Sequence, residues 1–100
     1  MYNIKILSIV DENLLNIFDY ILENTYDIWI SENIINHIYW AIYSLNFLPY
    51  RYQVVFENIR VINVKWYKIF YEIDENKKTI IIYRILWWRQ YFGSNFIKRD

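Results

Sequence analysis

Apolar and polar positions alternate along this chain in two different rhythms, and the rhythm changes mark the elements. From Leu14 to Leu22 the apolar residues Leu14, Leu15, Ile17, Phe18, Ile21 and Leu22 fall on one arc at roughly 100° per residue, while Asn13, Asn16, Asp19, Glu23 and Asn24 take the other side. That is an amphipathic helix, with Asp11 as its expected N-cap and an exit near Asn24-Thr25. A second stripe, Ile34, Ile35, Ile38, Ala41, Ile42 and Leu45, predicts a second helix that starts at Ser31 as N-cap and stops before Pro49. Two such helices joined by a short link form an αα-hairpin that covers one face of a sheet.

Elsewhere the pattern is that of strands. Ile4, Ile6, Leu7, Ile9 and Val10 predict a first strand within residues 2–10, and Val54 to Phe56 with Ile59 to Val64 predict one or two short strands, broken at Asn58 and Asn63. The longest strand signal is a pair. Lys65 to Ile73 and Thr79 to Arg89 are β-branched and aromatic runs around the polar stretch Asp74-Glu75-Asn76-Lys77-Lys78, as in a β-hairpin with a connection of about four or five residues. With a four-residue loop, Glu75 to Lys78, Asp74 opposes Thr79; Lys68 then shares a face with Ile85, Trp87 and Arg89, and Arg84 joins Ile80 and Ile82 on the other. A five-residue loop sets Lys68 against Arg84, an unfavourable like-charge pair. An anion or an acidic partner between them would relieve that repulsion, so the pattern alone leaves both loops open. Gly93-Ser94-Asn95 ends the last strand ahead of a loose tail. The predicted fold is α+β, an antiparallel sheet in β-α-α-β-β-β order with an αα-hairpin on one face, in a single domain over residues 1–100.

Composition changes this picture in two ways. Aromatics are 22% of the 100 residues, more than a small domain can hide, so some are expected to face a partner. The 11 basic and 11 acidic residues cancel, so no global basic field attracts nucleic acid and any anion site must be local. The chain has no cysteine, which excludes disulfides and thiolate metal sites. Its first residues lack the pattern of a secretory signal, and no apolar run approaches the length of a membrane span, so a cytoplasmic protein is expected. Scarce Gly, Ala and Pro beside abundant Ile, Asn and Tyr are the mark of an A/T-rich coding sequence, which discounts the aromatic excess as a functional sign.

The candidate chemistry lies in the hairpin, because a cation among apolar neighbours must be solvated, paired or used. Lys68 and Arg84 are such cations; Arg60 stands in the strand before them. Lys68 has the alternative of burying its stem and wetting its head, and Arg84 that of pairing with carbonyls or a carboxylate at the core edge. Trp87 and Trp88 point to opposite faces, one to the core and the other outward. His37 has no second His and is read as structural. Asp74-Glu75 is read as a solvated turn. No phosphate loop, metal motif, nucleophile elbow or paired-carboxylate site is present, and no cofactor is expected.

The order of elements, with Tyr67-Lys68-Ile69-Phe70-Tyr71-Glu72-Ile73-Asp74 and Thr79-Ile80-Ile81-Ile82-Tyr83-Arg84-Ile85-Leu86, resembles the RelE/ParE superfamily of toxins from type II toxin-antitoxin systems. Phe18-Asp19-Tyr20-Ile21 before Glu23-Asn24 is similar to that family's first helix, and Ser44-Leu45 with Pro49 to the end of its second. The resemblance implies a growth-arresting toxin neutralised by a cognate antitoxin, and the family's hairpin pairing implies the four-residue loop, which is therefore expected. RelE-like members cleave mRNA in the ribosome, and ParE-like members poison DNA gyrase with no hydrolytic site of their own. By resemblance Lys68 stands where RelE-like toxins contact phosphate, and Arg89 near a second essential Arg, with Tyr91 the nearest phenol to the family's late tyrosine.

That set is incomplete. Ile59 and Val61 occupy places where RelE is basic, with only Arg60 charged between them, and Asn95 falls near the late tyrosine. The run Arg84-Ile85-Leu86-Trp87-Trp88-Arg89-Gln90-Tyr91 is similar to the ParE terminal pattern, with Trp87 for a frequent His. The ParE-like reading is preferred, with Arg84, Trp87 and Arg60 as binding residues. The alternatives are a ribosome-dependent mRNA endonuclease using Lys68, Arg89 and Tyr91, and a non-enzymatic protein-interaction module. The partners implied are the antitoxin, with a toxin-antitoxin hetero-oligomer as one form of the assembly, and gyrase or the ribosome with its mRNA.

Overall fold

A computed structural model describes residues 1–87. The chain is α+β: two helices and a five-stranded mixed sheet. In chain order the elements are β1 (Asn3–Ile6), α1 (Ser8–Thr25), α2 (Ile28–Ser44), a 3-10 turn (Pro49–Arg51), β2 (Val54–Phe56), β3 (Ile59–Val64), β4 (Tyr67–Asp74) and β5 (Thr79–Trp87). The spatial order is β1-β5-β4-β3-β2. The expected antiparallel sheet is corrected at one edge: β1 runs parallel to β5, from Asn3 opposite Thr79 to Ile6 opposite Ile82. Pairing between the first and last strands joins distant parts of the chain, and no local pattern records its direction.

Both helices begin earlier than their caps suggested. Helix α1 starts at Ser8 after Leu7, which makes no side-chain cap, and Asp11 lies within its first turn. Ile9 and Val10 therefore belong to the helix despite their β-branched side chains, because Val10 is fully buried against the sheet. Burial overrides intrinsic propensity here. Helix α2 is capped by Asp27, whose carboxylate accepts from the Trp29 N–H at 2.9 Å. Ser31 sits one turn in, fully buried, with its hydroxyl turned back to the Asp27 carbonyl at 3.4 Å.

The helices pack on one face of the sheet. Val10, Leu14, Ile17 and Ile21 of α1 and Ile34, Ile38 and Ile42 of α2 meet Ile62, Ile69, Tyr71, Ile80, Ile82 and Ile85. A buried aliphatic side chain of this kind stabilises by about 1.5–3 kcal/mol relative to exposure. The α2 stripe agrees with the expected one, and Leu45 extends it as a buried C-cap. Tyr71 is buried in this layer, and its hydroxyl donates to the Pro49 carbonyl at 2.6 Å, tying β4 to the turn after α2.

The β4–β5 hairpin has Asp74 opposite Thr79, as the four-residue loop requires. Lys78 closes that loop at φ 48°, a left-handed conformation that costs a non-glycine residue about 1–2 kcal/mol. Further along, the register shifts. Tyr71 faces Ile82 but Phe70 faces Arg84, so Tyr83 is an extra residue in β5. This β-bulge reassigns every later side chain of the strand.

Candidate functional site

Without the bulge, Arg84 would follow Ile80 and Ile82 into the helix-covered layer. With it, Ile85 and Trp87 take the inward positions and Arg84 turns to the other face with Phe70. The physical reason is cost, since an unpaired charge in an apolar core is penalised heavily and a one-residue shift replaces it with isoleucine. Lys68 accordingly lies opposite Leu86, not Ile85, and shares the face away from the helices with Arg84. The expected grouping of Lys68 with Ile85 and Trp87, and of Arg84 with Ile80 and Ile82, is thus corrected: all four apolar residues lie on the helix side and both cations on the other. Lys68 and Arg84 become diagonal neighbours, a relation that spans about 7–8 Å between backbone positions.

Around these cations the far face is apolar. Ile59, Val61, Phe70 and Tyr83 form a second buried cluster, flanked by Val55, Phe56, Ile81 and Leu86. Phe70 is fully buried within it. Polar contacts rim the cluster. Lys68 Nζ donates to Asn63 Oδ1 at 2.7 Å across the β3–β4 pair, Arg84 Nη1 donates to the Tyr83 carbonyl at 2.9 Å, and the Tyr83 hydroxyl donates to Glu72 Oε1. Asn63 is no strand break; it lies inside β3, directly opposite Lys68. Chemically the face offers two cations and a phenol hydrogen-bonded to a carboxylate, at the rim of an apolar cluster that is itself buried.

The other expected residues lie elsewhere. Arg60 faces the helix side opposite Tyr71, donates to the Tyr52 carbonyl at 2.6 Å, and stands 5.1 Å from the centre of the Tyr50 ring. Its guanidinium is engaged by the link between α2 and β2 and is separated by the sheet from Lys68 and Arg84. Trp87 is on the helix side, its ring 6.4 Å from that of Tyr20. Together they border a cleft of 400 Å³ that also includes Asn13, Asn16, Tyr67 and Ile85. Asn13 Oδ1 accepts the Ile85 N–H at 3.1 Å in that cleft, beyond the point where β1 ends. Arg89, Tyr91 and Trp88 lie outside the described residues, as does the tail from Gly93.

One cluster carried no sequence signal. Glu75, read as part of a solvated turn, accepts hydrogen bonds from the hydroxyls of Tyr2, at 2.7 Å, and Tyr50, and pairs with Lys78 at 2.7 Å. The Lys78 ammonium, with the two phenols, holds the Glu75 carboxyl down at about 2, and Glu75 in turn pushes Tyr50 up to about 12. The two tyrosines are distant from Glu75 in sequence, so spacing could not disclose them. The cluster clamps the start of β1 and the 3-10 turn to the hairpin loop. It shares no residue with the far face.

His37 is exposed on α2, and no group of His, Cys, Asp and Glu among the described residues could hold a metal ion. No described helix is long and apolar enough to cross a membrane. No protein-family model and no curated protein matches this chain.

Proposed function

We propose that the protein is a growth-arresting toxin of the RelE/ParE kind, neutralised by a cognate antitoxin and nearer to ParE, acting by binding DNA gyrase. The reading rests on the resemblance of the β4 and β5 sequences. The observation that favours binding over hydrolysis is the composition of the far face. Ile59 and Val61, at positions where RelE-like toxins are basic, are buried beside Phe70 and Tyr83 in an apolar cluster. Cleavage of RNA needs cations to hold the phosphate and groups to move protons. With apolar, buried residues at these positions the face has few of the cationic contacts on which phosphate binding scales, which favours a toxin that binds a protein.

One observation favours the mRNA endonuclease as a second reading: Lys68 and Arg84 are neighbours on one face. Two cations at that spacing suit a single phosphate.

Induced expression of the chain separates the readings. Growth arrest with accumulated DNA breaks and intact mRNA is the expected result. Arrest with mRNA cut at codon boundaries and unbroken DNA would reject gyrase as the target. Absence of arrest, with the protein demonstrably made, would reject the toxin reading and leave an interaction module.

A further inference from the structure

The outer side of α2 carries an aromatic pattern that neither the core nor the far face uses. Trp29, Asn33, Asn36, Trp40 and Tyr43 of α2 are all exposed, as is Tyr26 just ahead of it at the left-handed C-cap of α1, and the spacings alternate three and four residues. That alternation keeps a stripe on one side of a helix and is the a/d spacing of helix pairs. The stripe also reads the same from either end: Tyr, Trp, Asn, then Asn, Trp, Tyr, about a midpoint between Ile34 and Ile35. Trp29 is 79% exposed and Trp40 77%, Tyr26 89% and Tyr43 53%.

From this symmetry we infer that the chain self-associates through α2 as an antiparallel, two-fold pair. A two-fold interface must be self-complementary, because each position meets its counterpart under the rotation. An antiparallel pairing about the midpoint sets Trp29 of one copy against Trp40 of the other and Asn33 against Asn36, and brings Tyr26, just ahead of α2, to the end of the other helix that carries Tyr43. The asparagines form a central amide pair in which each side chain both donates and accepts. A groove already lies beside Trp40 and Tyr43, bordered by Asn36, Tyr39, Ser44 and Phe47, at the level where the second copy's Trp29 arrives. Tyr39 and Tyr43 stack at 6.2 Å and stiffen its wall.

Charge and area agree with a second copy as the occupant. From Ile28 to Ser44 the only formally charged residue is Glu32, so two identical faces meet without like-charge repulsion on the stripe. Aromatic side chains bury about 150–250 Å² each, so the four rings at their observed exposures offer about 600 Å² per copy. A pair then buries about 1,200 Å², where specific stable interfaces begin. The pairing face lies on the helix layer, across the sheet from Lys68 and Arg84, and does not depend on the target proposed for them.

Sedimentation velocity of the full chain across the micromolar range tests this. A dimer is expected for the wild type, and monomers for Trp29→Glu and for Trp40→Lys, each with an unchanged far-ultraviolet spectrum. An equimolar mixture of the two variants is expected to dimerise, because the substituted positions meet with opposite charge while the second Trp29–Trp40 contact is kept. As a measure that leaves both tryptophans in place, mixed Asn33→Cys and Asn36→Cys chains should form a disulfide-linked dimer faster than either alone. A wild type that stays monomeric, including one that is monomeric and binds lipid vesicles, overturns the inference. So do variants that remain dimeric, or a mixture that remains monomeric.

Discussion

Arg84 stands directly across from Phe70, and the bulge at Tyr83 that puts it there brings it beside Lys68 on the face away from the helices. If this pair holds a target group, the two side chains act together. Lys68→Ala and Arg84→Ala should each weaken growth arrest, by about tenfold or more in the inducer needed, since a charge-assisted contact contributes about 1.5–3 kcal/mol. The double variant should lose less than the sum of the singles. Thermal melting of all three should stay close to wild type, because both cations sit at the rim of the apolar cluster and not in it. Undiminished arrest in both single variants would remove the pair from the site.

Tyr71 connects the sheet to the turn after α2 through one buried hydrogen bond. Tyr71→Phe keeps the ring and leaves the Pro49 carbonyl without its donor, which costs about 1–3 kcal/mol when a buried acceptor is orphaned. Urea unfolding should show a lower midpoint with an unchanged slope. A variant as stable as wild type would mean that the carbonyl finds another donor.

Asn13 substitutes for a strand partner. Beyond Ile6 there is no β1 backbone to receive the Ile85 N–H, and the Asn13 side chain accepts it. Asn13→Ala should cost about 1 kcal/mol and speed hydrogen exchange at the Ile85 amide well before global unfolding. Unchanged exchange at that amide would show that the bond does not protect the strand end.

Acid should weaken the clamp at the hairpin loop. The Glu75 carboxyl lies at about 2 when folded, against an ordinary 4.5. A depressed folded value means that the ionised form stabilises the fold above 4.5, and that this gain fades as the pH falls towards 2. Tyr50 works in the opposite sense: raised to about 12 from 10.0, it contributes below 10.0 and loses that contribution as the pH climbs through 12. In Glu75→Gln, urea midpoints should fall less steeply over the acid window than in wild type, and the alkaline loss should shrink, because Tyr50 then titrates closer to its ordinary value in both folded and unfolded chains. Because these groups are exposed, the effect should also shrink with added salt. Parallel acid limbs in wild type and variant would exclude Glu75 as their cause.

Much of the architecture is written locally. The 3.6-residue rhythm around Leu14 and Ile34 marks both helices and their buried sides, and the polar break around Glu75 marks the turn between β4 and β5. These features depend on neighbours within one or two turns of chain, so a pattern of apolar and polar positions suffices for them. Helix starts were less legible. Asp11 and Ser31 have the chemistry of caps, yet Val10 and Ser31 are buried in the packed helices, and packing outweighs a cap of about 1 kcal/mol.

What the sequence by itself determined is therefore the α+β class, the two amphipathic helices and the paired strands of the β4–β5 hairpin. Only the tertiary structure decided that β1 runs parallel to β5, that Glu75 joins Tyr2 and Tyr50, and that Arg84 faces the same way as Lys68. Each of those depends on groups far apart in the chain, or on a single extra residue in a strand. A one-residue shift leaves the local alternation almost unchanged but exchanges the faces, and the choice falls to whichever register keeps the charge of Arg84 out of the core and Ile85 within it.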